Sequence, residues 1–217
     1  MKKIIRLTLI SGIIMMSGQF CFGQSAGDES LARLKEGNKR YLSGSLKAKD
    51  FAGERKEQAA GQKPYAIVLT CSDSRVPPEV IFDEDLGDLF VVRVAGNVID
   101  NATLGSIEYG AEHLHAPLLI VMGHSSCGAV KATLEGGHFT PAIKSIAAKI
   151  ENAVKSAKKE STDKTVQLNS AISHNVDNQV KAALKQSKVL KELEHEGKLK
   201  IAEAIYDIQT GQVQFAQ

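Results

Sequence analysis

Three largely apolar runs, Tyr65 to Thr70, Phe90 to Ala95 and Leu118 to Met122, constrain the fold of this 217-residue chain more than any other feature. Such runs, without polar/apolar alternation, fit strands covered on both faces, as in a parallel sheet. Parallel neighbours need crossover connections. Between the second and third runs Leu104, Ile107, Ala111 and Leu114 recur at helical spacing and supply one. The expectation is an α/β fold with a central, mostly parallel β-sheet flanked by helices.

The flanking segments extend that plan. Asp28 or Ser30 can cap a helix through Leu31, Leu34 and Tyr41 that ends near Ser43-Gly44, an N-terminal helical arm. Lys47 to Lys63 is polar and reads as an irregular or partly helical approach to the first strand. Pro141 opens a helix through Ile150 and Val154, and Glu160 to Thr165 is a polar linker. Asn169 to Leu193 makes one or two further helices and Lys198 to Ile208 a late strand. After the turn signal Gln209-Thr210-Gly211, Val213 and Phe215 pair back as a short edge strand. This C-terminal half reads as scaffold.

Residues 1–23 have a basic start (Lys2, Lys3, Arg6), an apolar centre from Leu7 to Met16 and small residues near Cys21-Phe22-Gly23. That is the pattern of a secretory signal peptide, with cleavage expected before Gln24, leaving one domain over 24–217. The apolar centre is shorter than the roughly 20 residues that span a bilayer, so no stable membrane anchor is expected. Removing the three leader cations takes the formal charge from +2 to about −1. With few aromatics and no basic run interleaved with them, nothing points to a nucleic-acid partner. The expected location is outside the cytoplasm, periplasmic or secreted.

Two of the predicted strands end in chemistry. Cys71-Ser72-Asp73-Ser74-Arg75 follows the first, and Gly123-His124-Ser125-Ser126-Cys127 follows the third. Open parallel sheets place ligand sites at the carboxyl ends of their strands, where both segments fall. Cys71, His124 and Cys127 form a soft Cys2His set suited to one Zn²⁺ per chain, with a fourth position left for water or substrate. Asp73 is the nearby carboxylate able to take that position. A helix beginning near Ser126 would direct backbone N–H groups at Cys127 and help hold it as thiolate. The competing reading is a disulfide, since cleavage leaves only Cys71 and Cys127 in a disulfide-permissive compartment. A disulfide requires neither His124, three residues from Cys127, nor Asp73, so the metal reading is preferred. His113, His115, His138, His174 and His195 have no such partners at useful spacing.

With these residues in view, the sequence resembles the β-class carbonic anhydrases. The likeness lies in Cys71 to Pro77, Phe90 to Asn97, Gly105 to Tyr109, Gly123 to Ala129 and Tyr206 to Gly211, and covers the chain from about Ser30 to its end. The resemblance implies reversible hydration of CO₂ to bicarbonate and a proton by zinc-bound hydroxide. It implies zinc on Cys71, His124 and Cys127, with Asp73 and Arg75 as a dyad beside it. Gln62 stands at the offset of a substrate-binding glutamine, and Phe90 and Tyr109 match positions lining the pocket across a dimer interface. A homodimer or larger homo-oligomer is therefore implied. The chain has Ala95 where members often have Val, and it has no Trp, so it lacks one residue of the bicarbonate-inhibition site of another branch. The competing functions are a zinc hydrolase of carbonyl sulfide or carbon disulfide, and a non-catalytic zinc or redox protein in which Asp73 permanently closes the metal.

Overall fold

The three apolar runs form adjacent parallel strands in the computed structural model, which describes residues 25–216. The leader expected at 1–23 lies outside the described residues. In chain order the elements are α1 (Ala26–Ser43), α2 (Phe51–Glu57), β1 (Ala66–Thr70), α3 (Pro78–Ile81), β2 (Leu89–Arg93), α4 (Asn101–Glu108), β3 (Leu118–His124), α5 (Gly128–Glu135), α6 (Pro141–Glu160), α7 (Lys164–Gln186), α8 (Lys188–His195), β4 (Lys200–Tyr206) and β5 (Val213–Phe215). The sheet order is β2-β1-β3-β4-β5, parallel except for the antiparallel β4–β5 pair. The expected α/β architecture with an N-terminal helical arm is therefore the observed one.

Alternation along the strands divides the core between the two faces of the sheet. Ile67, Leu69, Leu119 and Val121 pack with Ile107 of α4, Val176 of α7 and Leu190 of α8. Ala66, Val68, Leu118, Ile120 and Met122 pack on the other side with Leu34 of α1 and Ile81 of α3. β1 and β3 are buried along their whole length, as the unbroken apolar runs require. β2 departs from that expectation: Leu89, Phe90 and Val91 are half-buried, because β2 is an edge strand with β1 as its one neighbour. It also stops at Arg93, where a turn through Gly96 brings the chain back over the carboxyl end of β1. Among the described residues no helix is long and apolar enough to cross a membrane.

Local chemistry explains the other differences. The cap of α1 is Ser25, which accepts from the Asp28 N–H while Asp28 accepts from Ser25, so Asp28, the third helical residue, is the reciprocal partner of a capping box. The α4 periodicity continues through a wider turn, Tyr109–His113, closed by a bond from Leu114 N–H to Tyr109 O of 3.2 Å. That turn sets Gly110 against the sheet, where a Cβ would lie 2.9 Å from Ile67 Cγ1. Asn169 to Leu193 resolves into two helices, broken where Ser187 ends α7 and caps α8 by accepting from Leu190 N–H.

Candidate metal centre

Sheet register brings the donor residues together. Thr70 pairs with Met122, so Cys71 follows β1 level with Gly123 and one residue short of His124 on the adjacent strand. Parallel neighbours lie about 4.8 Å apart, which puts the two strand ends within side-chain reach. The loop from His124 then returns Cys127 as the residue preceding α5. It does so through Ser126 in the left-handed region at φ 58° and through Ser125, whose N–H donates to Tyr206 O at 2.9 Å and whose Oγ accepts from Ile208 N–H at 2.9 Å. The donor atoms of Cys71, His124 and Cys127 all lie within 4.8 Å of one another, and the three residues are buried. Both cysteines are free thiols.

The histidine is prepared to give one lone pair inward. Its Nδ1 lies 2.9 Å from Ser125 O, an acceptor only, so Nδ1 carries the proton and Nε2 the lone pair. Nε2 is buried and has no hydrogen-bond partner among the described residues. Native interiors pair almost all such atoms, so an orphan beside two thiols marks a position for a cation.

The two sulfurs lie within 4.8 Å of one another, and the neighbouring Cys127 thiol is the main influence holding Cys71 well below the ordinary thiol range. Burial opposes that fall, while His124 and the Gly96 N–H, 3.3 Å from Sγ, assist it. The same proximity and burial push Cys127 up, against the first-turn N–H groups of Val130 and Ala129. α5 starts at Gly128 rather than Ser126, so Cys127 sits as the residue before the helix. In a buried pair the second thiol resists ionisation unless a cation compensates it.

Asp73 is not in the donor cluster. Arg75 takes both of its oxygens, Nε to Oδ1 at 2.9 Å and Nη2 to Oδ2 at 2.8 Å, and the Arg75 N–H also reaches Oδ1 at 3.0 Å. That guanidinium holds the Asp73 carboxyl far below the usual carboxylate range. Arg93, to which sequence reading assigned no role, braces the segment from the end of β2: Nε donates to Cys71 O at 3.1 Å and Nη2 to Asp73 O at 2.5 Å. An arginine within an otherwise apolar strand was the available signal.

Gln62, Phe90 and Tyr109 form a separate neighbourhood of the same chain. Gln62 and Tyr109 line a surface hollow of about 520 Å³ with Gln58 to Gly61 and Leu114. The Phe90 and Tyr109 rings lie 6.1 Å apart, and Phe90 stands near the start of β2, three pairings from Arg93. None of the three joins Cys71, His124 and Cys127 within one chain.

A family model described as carbonic anhydrase matches residues 66–213. Carbonic anhydrase 2 of Mycobacterium tuberculosis is 49% identical over 123 residues, which cover 52% of this chain and 59% of that protein. The chain thus spans little more than half the length of that relative. The β-carbonic anhydrase CafA of Aspergillus fumigatus superposes with a TM-score of 0.70 at 26% identity, over 87% of this chain and 89% of CafA. A structure of the two tetrameric β-carbonic anhydrases of Sordaria macrospora gives 0.69 at 26% identity, over 74% of this chain and 84% of that one.

Proposed function

Because this chain belongs to the β-carbonic anhydrase family, we propose that it is a zinc-dependent carbonic anhydrase, converting CO₂ and water reversibly to bicarbonate and a proton. The observation that carries the reading is His124 Nε2, buried, unpartnered and within a cluster containing two thiols. Two sulfurs and one imidazole are donors that zinc accepts, and three protein ligands leave one position for chemistry. When bound, the ion supplies the Lewis acidity that makes hydroxide available from water near neutral pH.

The chain's own residues supply orientation. Ser125 O keeps the proton on His124 Nδ1, so Nε2 presents one lone pair in one direction. Asp73 stays ionised in its pairing with Arg75 and is therefore an acceptor only; it can take a hydrogen bond from the attacking water but has no proton to donate. Arg75 occupies both Asp73 oxygens and restrains the carboxylate from closing the fourth position itself, which speaks for turnover over a permanently closed site.

Gln62, Phe90 and Tyr109 serve, in this reading, as the substrate-side wall of a neighbouring copy's site, with the Gln62 amide donating to a bicarbonate oxygen. Their separation from the donor cluster in one chain supports that assignment, and so does the tetrameric state of the Sordaria relatives. The working form is then a homodimer or larger, exported after removal of residues 1–23 to the periplasm or beyond.

Stopped-flow CO₂ hydration across pH, with zinc measured on the same sample, tests the function. Stoichiometric zinc with activity rising at alkaline pH is expected. Stoichiometric zinc without hydration at any pH refutes it, and turnover of carbonyl sulfide or carbon disulfide alone would reassign the substrate. Sedimentation velocity checks the assembly, and N-terminal sequencing of protein from the extracytoplasmic fraction checks the leader.

A further inference from the structure

Behind the donor cluster a single file of buried amides runs from α7 to the Cys71 sulfur. Ile99 N–H donates to Gln179 Oε1 at 2.8 Å, Gln179 Nε2 to Asn175 Oδ1 at 3.0 Å, Asn175 Nδ2 to Gly96 O at 2.8 Å, and Gly96 N–H to Cys71 Sγ at 3.3 Å. Asn175 is wholly buried and Gln179 is 3% exposed. Four residues apart on α7, they face the same way.

The polarity of this file is set at both ends. Gly96 O can only accept and Ile99 N–H can only donate, so each amide has one orientation that satisfies its neighbours. Turning the Asn175 amide around breaks two contacts at once, and turning Gln179 breaks three, since its Nε2 also donates to Lys149 O at 3.5 Å. Burying two amides costs more than burying apolar side chains of the same size unless every contact is made.

What the file holds is a turn with a demanding conformation. Val94 to Asn97 form a turn closed by Asn97 N–H to Val94 O at 2.9 Å, with two successive residues in the left-handed region, Gly96 at φ 69° and Asn97 at φ 45°. A Cβ on Gly96 would lie 2.7 Å from Ile150 Cδ1. Gly96 is thereby gripped on both sides, its N–H on the sulfur and its carbonyl on Asn175.

We propose that Asn175 and Gln179 are positioning residues for the metal centre, which aim the Gly96 N–H at the Cys71 sulfur and so set the donor strength of that ligand. The inference rests on the reading of Cys71 as a metal ligand. A hydrogen bond to a ligating sulfur lowers the energy of its lone pairs, so losing it moves sulfur-to-metal charge transfer to lower energy. Loss of a partner behind a ligand typically weakens metal binding about 10- to 100-fold.

The test uses the full mature chain loaded with Co²⁺, comparing the parent with Asn175→Leu, Gln179→Met and Leu190→Ala. The readouts are the thiolate-to-cobalt charge-transfer band, the rate of Co²⁺ extraction by a chelator, and Tm. Asn175→Leu is expected to shift the band to lower energy and to speed extraction about 10- to 100-fold. Gln179→Met should do the same more weakly. Leu190→Ala, a fully buried residue of the same core outside the file, should lower Tm and leave the band in place. A folded Asn175→Leu with the parent's band and extraction rate overturns the proposal, as does an equal shift in Leu190→Ala. If Asn175→Leu does not fold, Gln179→Met decides by the same criteria. A parent that takes up Co²⁺ without any thiolate band refutes the metal reading itself and this inference with it. A normal parent band with unmoved variants refutes this inference alone.

Discussion

Replacing Gly96 by alanine tests whether the turn over Cys71 is held by shape. Two costs are separable. A residue with a Cβ in the left-handed region loses about 1–2 kcal/mol. The new Cβ would also meet Ile150 Cδ1 at 2.7 Å and Ala129 Cβ at 3.3 Å, and overpacking of this kind costs typically about 1–3 kcal/mol. Together they predict a loss of roughly 2–5 kcal/mol for Gly96→Ala. The clash has one chief partner, so Ile150→Val, which removes Cδ1, is the diagnostic second change. Alone it should cost about 0.5–1.5 kcal/mol. In the Gly96→Ala background it should cost nothing or restore stability, a coupling of about 1 kcal/mol or more against the sum of the single changes. Urea unfolding of the four proteins in metal-free buffer measures the cycle. Ile150→Val cannot restore the left-handed turn, so the double variant should recover stability without recovering metal affinity. Additivity within about 0.5 kcal/mol, or a loss below about 1 kcal/mol for Gly96→Ala, would refute the reasoning.

Arg75→Gln frees Asp73 from its bidentate pair, and CO₂ hydration should fall about 10- to 100-fold with metal content unchanged; parent-like turnover with full zinc would contradict the dyad. Stripping the metal should make Cys71 and Cys127 oxidisable to a disulfide and reactive with a thiol reagent, and reloading should release protons, seen by calorimetry in two buffers of different ionisation enthalpy. Asp100→Ala removes the cap of α4, where Oδ1 accepts from Thr103 N–H at 2.8 Å, and should cost about 1 kcal/mol at neutral pH. That backbone bond also depresses the Asp100 carboxyl, so its contribution is present above the unfolded value of about 3.9 and fades as pH falls through the lower folded value. Parent and variant stabilities should therefore converge in acid, as thermal melts across pH would record.

The sheet was legible because its central strands are buried on both faces and carry a polar residue only at their carboxyl ends, Thr70 and His124. The donor set was legible because chemistry begins where each run ends, at Cys71 and at His124. What stayed hidden depends on contacts far apart in sequence. Arg93 looks like an interruption in a strand until β2 is seen to end beside Cys71 and Asp73. Asn175 lies 79 residues from the carbonyl it grips, in a segment whose periodicity announces only a helix. Gln62, Phe90 and Tyr109 were recoverable by resemblance alone, since nothing in their spacing ties them to the thiols.

The centre is built from backbone as much as from side chains, and this makes register the quantity on which it depends. Cys71 is held through its carbonyl by Arg93 of β2 and through its sulfur by the turn after β2. His124 is aimed by Ser125 O, and Ser125 is in turn bound to Tyr206 at the end of β4. Each hold crosses from β1 or β3 to a neighbouring strand, and the pairings Thr70 with Arg93, Thr70 with Met122 and His124 with Tyr206 set all of them. A slip of one residue in any pairing would turn a ligand to the opposite face of the sheet. The wholly buried β1 and β3 resist such slips, because each would drive the Ile67, Leu69, Leu119 and Val121 set into the space shaped for Val68, Leu118, Ile120 and Met122, and the reverse, disrupting close packing on both faces at once. The apolar runs that specify the fold are thus also what holds two thiols and an imidazole within 4.8 Å of one another.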